Sequence, residues 1–269
     1  TTVNASYGSY IDPNELGSGG GTDTGTGGTG GGLLRITANE VLLEGEIRAN
    51  GGSGSTYAGG GSGGGVRIST TTFGGTGWIR ANGGNAGNQS GGGGGGRVAI
   101  QYAAGEIDPS RIQTLGGTAL SMGAPGTIYI RKGASTPQLI VRGTGRETPL
   151  PSSLSTEQLL VDAAYVSATN ITVSRLILTN GAVLTHPGTT STSEARLSIV
   201  APELVVSTNS RIDVSARGYL GGRSGDNGGD WGRTFGNTTA GGSTRRNGGS
   251  YGGLGAYGST ETTVNAAYG

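Results

Sequence analysis

Two close carboxylate pairs, Glu44 with Glu46 and Glu106 with Asp108, have the spacing that acid–base chemistry asks for. Glycoside hydrolysis uses two carboxyl groups across the scissile bond, one donating a proton and one attacking or activating water. Side chains two apart on a strand leave from the same face, so Glu44 and Glu46 can approach each other. A hydrolytic groove also needs acids from neighbouring repeats, and the positions one repeat further on are Thr76 and Trp78. Both pairs are therefore read as solvated surface groups, and no catalytic residue is assigned.

Other chemistry-bearing residues are sparse. The segment Gly221–Asp230 (GGRSGDNGGD) resembles glycine–aspartate calcium repeats, in which carboxylates and backbone carbonyls surround a hard cation. A single copy makes Asp226 and Asp230 weak calcium candidates, and a turn-rich surface loop is the default. His186 is the one histidine and cysteine is absent, so neither a zinc site nor a Ser–His–acid arrangement can be assembled. His186 is read as structural, and no cofactor is expected. Four N-x-S/T sequons, at Asn4, Asn88, Asn170 and Asn237, are candidate glycosylation sites. Arg245 and Arg246, near Tyr251 and Tyr257, suit either an anionic sugar or packing at a subunit junction, and the junction is preferred.

The elements that must position these groups follow from composition. Sixty glycines with no G-X-Y period exclude collagen, whose crowded axis needs glycine at every third place. A charged fraction of 13% and a net charge of +1 exclude a basic nucleic-acid binder or an acidic tail. Glycine-rich, weakly charged chains are often disordered, because burial does not offset backbone entropy. Here Val, Ile and Leu gather in short alternating runs, which is a strand signature. No apolar run approaches the roughly 20 residues of a membrane span.

The first half repeats at a spacing of 32. Ile47–Gly52 and Ile79–Gly84 both read IRANGG, and Ile112–Gly117 (IQTLGG) is a fainter copy. Leu34-Arg35-Ile36 aligns with Val66-Arg67-Ile68 and with Val98-Ala99-Ile100, each after a glycine run. Such repeats predict stacked coils in which Leu34, Ile36, Val66, Ile68, Val98 and Ile100 point inward while Arg35 and Arg67 point outward. Arg48 and Arg80 then form a like-charge column that Glu46 can relieve. The glycine runs are expected to pack as extended, polyglycine-II-like chains whose backbones approach too closely for a Cβ.

The expected fold is therefore all-β, a β-solenoid of parallel-β-helix type with polyglycine-II-like insertions and no significant α-helix. Its expected parts are a junction and glycine-rich lead-in (1–32), glycine-rich coils (33–134), glycine-poor β-coils (135–217), and a Gly/Tyr-rich linker (218–269). The second half is read as the same solenoid without the long glycine insertions.

The motifs GGGSGGGVRI, IRANGG and GGGGGGRVAIQY, with GSGGG near the start, resemble glycine-rich β-solenoid repeats of large secreted or surface-anchored bacterial proteins. The resemblance covers about residues 10–130. It implies an extracellular or cell-surface fibre or adhesin and supplies no catalytic residues. The last eight residues, TTVNAAYG, also match the first eight, TTVNASYG, at seven positions. That match predicts head-to-tail assembly through a junction of Thr1, Thr2, Val3, Asn4 and Tyr7 with Thr262, Thr263, Val264, Asn265 and Tyr268. The expected function is a structural, glycan-decorated unit of an extracellular filament, whose partners are identical units, with no nucleic acid and no membrane insertion. The rival reading is a carbohydrate-binding adhesin module that stacks sugars on Trp78, Trp231 and the Tyr-rich tail, and a polysaccharide-degrading enzyme ranks third.

Overall fold

The computed structural model of the chain describes residues 5–155 and 158–259. These residues are nearly all β. Among them are eighteen strands, numbered β1 to β18 in chain order, and one three-residue 3-10 turn, Pro109–Arg111. Among the described residues no helix is long and apolar enough to cross a membrane.

The largest sheet takes one strand from each repeat: β1 (Leu33–Leu42), β3 (Gly65–Gly74), β5 (Arg97–Gly105), β7 (Thr127–Lys132), β8 (Gln138–Arg142), β11 (Gln158–Asp162), β14 (Arg175–Thr179) and β17 (Glu203–Val206). A three-stranded sheet joins β2 (Glu46–Arg48), β4 (Trp78–Arg80) and β6 (Ile112–Gln113). In the second half, β9 (Thr148–Pro149), β12 (Tyr165–Ser167), β15 (Val183–Thr185) and β18 (Arg211–Ile212) form another sheet. The fourth sheet is β10 (Ser153–Ser155), β13 (Asn170–Thr172) and β16 (Ser198–Val200).

Pairing within the first half is parallel and advances by 32, 32 and 30 residues, as Leu33 meets Gly65, Gly65 meets Arg97, and Arg97 meets Thr127. The second half advances by 20, 17 and 28 residues, through Gln138, Gln158, Arg175 and Glu203. Between the halves the direction reverses: β7 and β8 pair antiparallel, with Ile128 opposite Ile140. The second half, read from sequence as the same solenoid without the long glycine insertions, therefore runs in the opposite sense to the first. Residues 133–137 form the link, too short for the dozen or more residues that a parallel crossover requires. Gly133, at φ 50°, makes the turn.

Alternation drives the core. Val66, Ile68, Val98 and Ile100 are fully buried in one half, and Leu159, Val161, Leu176 and Leu178 in the other. Leu154, Ile171, Val166 and Leu184 from the two smaller sheets of the second half are equally buried. Leu34 departs from expectation at 36% exposure, because β1 is an edge strand with no repeat stacked beyond it. At the opposite edge Leu204 and Val206 of β17 are 47% and 43% exposed for the same reason.

The face carrying Arg35 and Arg67 is covered by the segment that precedes the repeats. Asp12 pairs with both guanidiniums, at 2.9 and 2.6 Å. Arg97 donates to the Tyr7 carbonyl at 2.9 Å and to Thr127 at 3.1 Å. Tyr10 meets Tyr129 edge-on. One carboxylate between two stacked arginines removes the like-charge cost of the column.

By contacts the chain divides into two compact units, Thr1–Thr185 with Ile199–Ile212, and His186–Ser198 with Asp213–Gly269. The excursion 186–198 thus belongs with the Gly/Tyr-rich region rather than with the glycine-poor repeats. Side-chain clamps onto backbone hold this second unit: Asn227 donates to the carbonyls of Gly221 and Trp231, and Asn237 to Thr190 O.

Candidate functional site

Four layers of extended glycine-rich chain flank the strands of the first half, each layer made of an outgoing and a returning leg. The returning legs are 26–31, 59–64, 91–96 and 121–126. In the second of these the backbone N–H groups point in three directions in strict rotation. Gly59 and Ser62 donate to Gly21 O and Ser18 O, Gly60 and Gly63 to Gly91 O and Gly94 O, and Gly61 and Gly64 to Gly52 O and Ala49 O. All six bonds lie at 2.7–3.1 Å. Three residues per turn is the period of an extended left-handed chain without internal hydrogen bonds, so every donor is free for a neighbour.

The same rotation explains the glycines. A Cβ would fall 2.0 Å from Gly84 O at Gly60, 2.1 Å from Thr29 O at Gly61, 2.1 Å from Ala81 O at Gly63 and 1.9 Å from Gly32 O at Gly64. At Gly59 it would meet nothing closer than 3.5 Å, and one turn later the chain carries Ser62. The run therefore reads Xaa-Gly-Gly, with glycine demanded by contact at two places in three.

On the outgoing legs the outermost N–H groups have no further chain beside them, and asparagines take its place. Asn50 Oδ1 accepts from the Asn82 N–H, Asn82 Oδ1 from the Leu115 N–H, and Asn85 Oδ1 from the Thr118 N–H, at 2.8–2.9 Å. The asparagine of the ANGG motif is thus a rung between repeats. Sequence reasoning missed this role, although the recurrence of Asn immediately before Gly-Gly at a spacing of 32 was its signal.

The carboxylate pairs are not brought together as acid and base. Glu44 accepts from the Thr76 hydroxyl one repeat away at 2.9 Å. Glu46 lies between Arg48 and Arg80 and pairs with both. The hydrogen bond from Arg48, opposed in part by desolvation, and the charges of Arg48 and Arg80 hold its carboxyl below the usual Glu range. Glu106 pairs with Lys132 at 3.3 Å. Asp108 caps the 3-10 turn by accepting from the Ser110 N–H, and its bonds to Ser110 lower its pKa. Trp78 carries the guanidiniums of Arg80 and Arg111 at 4.7 and 5.6 Å from its ring, so its face is already occupied by cations.

Asp226 and Asp230 each have a protein partner of their own. Asp226 accepts from the Ser191 hydroxyl at 2.6 Å and from its N–H, and Asp230 pairs with Arg223. Those bonds, from Ser191 first in one case and Arg223 first in the other, hold both carboxyls below the usual Asp range. His186 is buried, with Nδ1 2.8 Å from Pro187 O. Among the sequons, Asn88 and Asn170 are exposed. The Asn237 amide accepts from Arg233 and donates to Thr190 O, which makes it a clamp of the second unit. Asn4 lies outside the described residues, as do Thr1, Thr2, Val3, Thr262, Thr263, Val264, Asn265 and Tyr268 of the expected junction. Tyr7 donates its hydroxyl to Leu16 O at 2.7 Å. Trp231, Tyr251 and Tyr257 are exposed, and Arg246 reaches Ser259 at 3.3 Å.

One open hollow of about 660 Å³ lies at the tip of the third and fourth layers, lined by Tyr57, Asn85, Asn88, Gln89, Thr118 and Leu120. No family model matches this chain, and neither does any curated protein or solved structure.

Proposed function

We propose that this protein is a structural unit of an extracellular filament or stalk, a β-solenoid with polyglycine-II-like layers that joins identical units end to end. The observation that carries the reading is the pair of open sheet edges. β1 leaves Leu34 and Leu42 at 36% and 69% exposure, and β17 leaves Leu204 and Val206 at 47% and 43%. Unpaired apolar edge strands are templates for another chain. Because β17 runs opposite to β1, a copy added by translation along the stack meets it antiparallel, in the sense in which β7 meets β8. The carboxylates engaged by Arg, Lys, Ser and Thr favour this reading over catalysis. Exposed Asn88 and Asn170 are the proposed carriers of sugar, which keeps a weakly charged surface hydrated.

Electron microscopy of the purified full chain tests the proposal. Fibres with strands stacked about 4.8 Å apart are expected. Val206→Lys should abolish them while leaving the thermal unfolding transition in place, since lysine on an edge strand blocks pairing. A chain that stays monomeric at every concentration sinks the proposal, and an unmodified intact mass of native material removes its glycan part.

The hollow at Tyr57 supports a second reading, a carbohydrate-binding module, since one exposed aromatic ring with amides and a hydroxyl suits a sugar. Loss of polysaccharide binding in Tyr57→Ala, with fibres unchanged, would favour it.

A further inference from the structure

The hollow at the layer tips is made by three successive turns of chain. Gly87 lets the third tip settle onto the second: its N–H donates to Ala58 O at 3.3 Å, and a Cβ there would lie 2.1 Å from Ser55 O. The fourth tip is tied to the third by Ala86, which donates to Thr118 O at 3.1 Å. Asn85 Oδ1 adds to this by accepting from the N–H and the hydroxyl of Thr118, both at 2.9 Å. Two of the tips turn through residues in the left-handed region, Tyr57 at φ 55° and Gln89 at φ 59°, which residues with a Cβ enter at a cost.

The walls are apolar and amide-bearing, and none of the lining residues is charged. Tyr57 and Leu120 are both exposed. The Tyr57 hydroxyl, Nδ2 of Asn85 and the side-chain amides of Asn88 and Gln89 have no hydrogen-bond partner among the described residues. A sugar ring offers C–H groups on its faces and hydroxyls at its rim, so an aromatic face beside neutral amides suits it. Nothing in the lining would balance a carboxylate or a sulfate on that sugar. At about 660 Å³ the hollow falls within the roughly 300–1,000 Å³ of small-ligand sites.

One lining residue is itself a sugar acceptor. Asn88 opens the sequon Asn88-Gln89-Ser90, and the Ser90 hydroxyl donates to Asn88 O at 3.3 Å. The 32-residue register sets Thr56-Tyr57-Ala58 at the same places one layer earlier. The earlier tip thus carries the aromatic ring and no acceptor, and the tip with the acceptor lies beside that ring. A sugar attached at Asn88 begins inside the hollow, so its docking is intramolecular and needs no high concentration of free saccharide.

We propose that a neutral sugar linked to Asn88 folds back into this hollow and covers Tyr57 and Leu120. The donor is a glycosyl phosphate. Asn88 Nδ2 forms a bond to the anomeric carbon, and the bond from that carbon to the phosphate oxygen breaks. The phosphate leaves with the electron pair, and the amide gives up one proton. The proposal deepens the glycan part of the filament reading and rests on it.

Glycopeptide mass spectrometry of native material locates the sugar, and hydroxyl-radical footprinting reads where it lies. Ser90→Ala, made in the source cells, removes the sequon and keeps the tip, because alanine already stands at the matching place, Ala58. Sugar on the peptide bearing Asn88 is expected, with Tyr57 oxidised at least about threefold more slowly in the parent chain than in Ser90→Ala. Oxidation of Tyr251 should be the same in both. A bare Asn88 in native material overturns the proposal, and sugar found then on Asn170 leaves the glycan reading standing. Sugar on Asn88 with Tyr57 oxidised equally fast in both chains overturns the seat, since the glycan then extends into solvent. If native Asn88 is bare and free glucose or N-acetylglucosamine protects Tyr57 in Ser90→Ala, the hollow belongs to a foreign saccharide instead. Electron microscopy of the same samples scores filaments separately, and their absence removes the end-to-end reading alone.

Discussion

Glu46 couples two rungs of a cationic column, and its protonation state sets whether that column is neutralised. Its folded pKa is depressed, so its contribution is fully present above the unfolded Glu value of about 4.3 and is lost as pH falls through the lower folded value. Glu46→Gln is therefore expected to lower the Tm at pH 7, and the gap to the parent chain should narrow at acid pH, as pH falls below the usual Glu range. A gap that is the same at both pH values would show that the carboxylate charge is irrelevant. Glu46 was readable as the partner of Arg48 and Arg80 because all three lie within strands of matched register. Asp12 was not readable as the partner of Arg35 and Arg67, since it sits in an irregular segment with no periodicity to place it. The sequon rule likewise drew Asn88 and Asn237 toward sugar, while the rungs at Asn50, Asn82 and Asn85 carry no sequon and bond to backbone one repeat away.

Among elements, the glycine legs make the sharpest demand on sequence. In leg 91–96 a Cβ at Gly93 would lie 2.0 Å from Gly61 O, while Gly94 has open space. Gly93→Ala should cost on the order of 2 kcal/mol through overpacking. Its neighbour Gly94→Ala should be neutral or stabilise by about 0.5 kcal/mol, by narrowing the unfolded ensemble. Chemical denaturation of the two variants compares them directly, and equal effects would contradict a three-residue rotation of contacts. The strands were legible because period-2 alternation of Val, Ile and Leu is a local property. The recurrence of the glycine runs in step with the strands was legible too. Which glycines are obligatory was not, because that depends on chains brought alongside from three directions.

On the scale of the whole molecule, the 32-residue spacing made the stacked repeats of the first half readable, and the irregular second half hid its own spacing of 20, 17 and 28. Strand direction leaves no trace in hydrophobic periodicity, so the reversal at β7 and β8 came from the structure. The short link at 133–137 was the one clue. These strands lie across the direction in which they stack, and that orientation governs how the molecule yields to force. Tension applied along the stack loads the ladder bonds of one edge repeat at a time, so the molecule should lengthen by peeling in steps rather than by rupture at once. A freed residue spans at most about 3.5 Å, so a 32-residue repeat releases about 110 Å and the 17-residue repeat about 60 Å. Single-molecule pulling should show long steps from the glycine-rich half and two clearly shorter ones, of about 60 and 70 Å, from the 17- and 20-residue repeats, and one rupture of the full length would contradict it. Glycine layers outside the strands thus set how much hidden length each long step would give up.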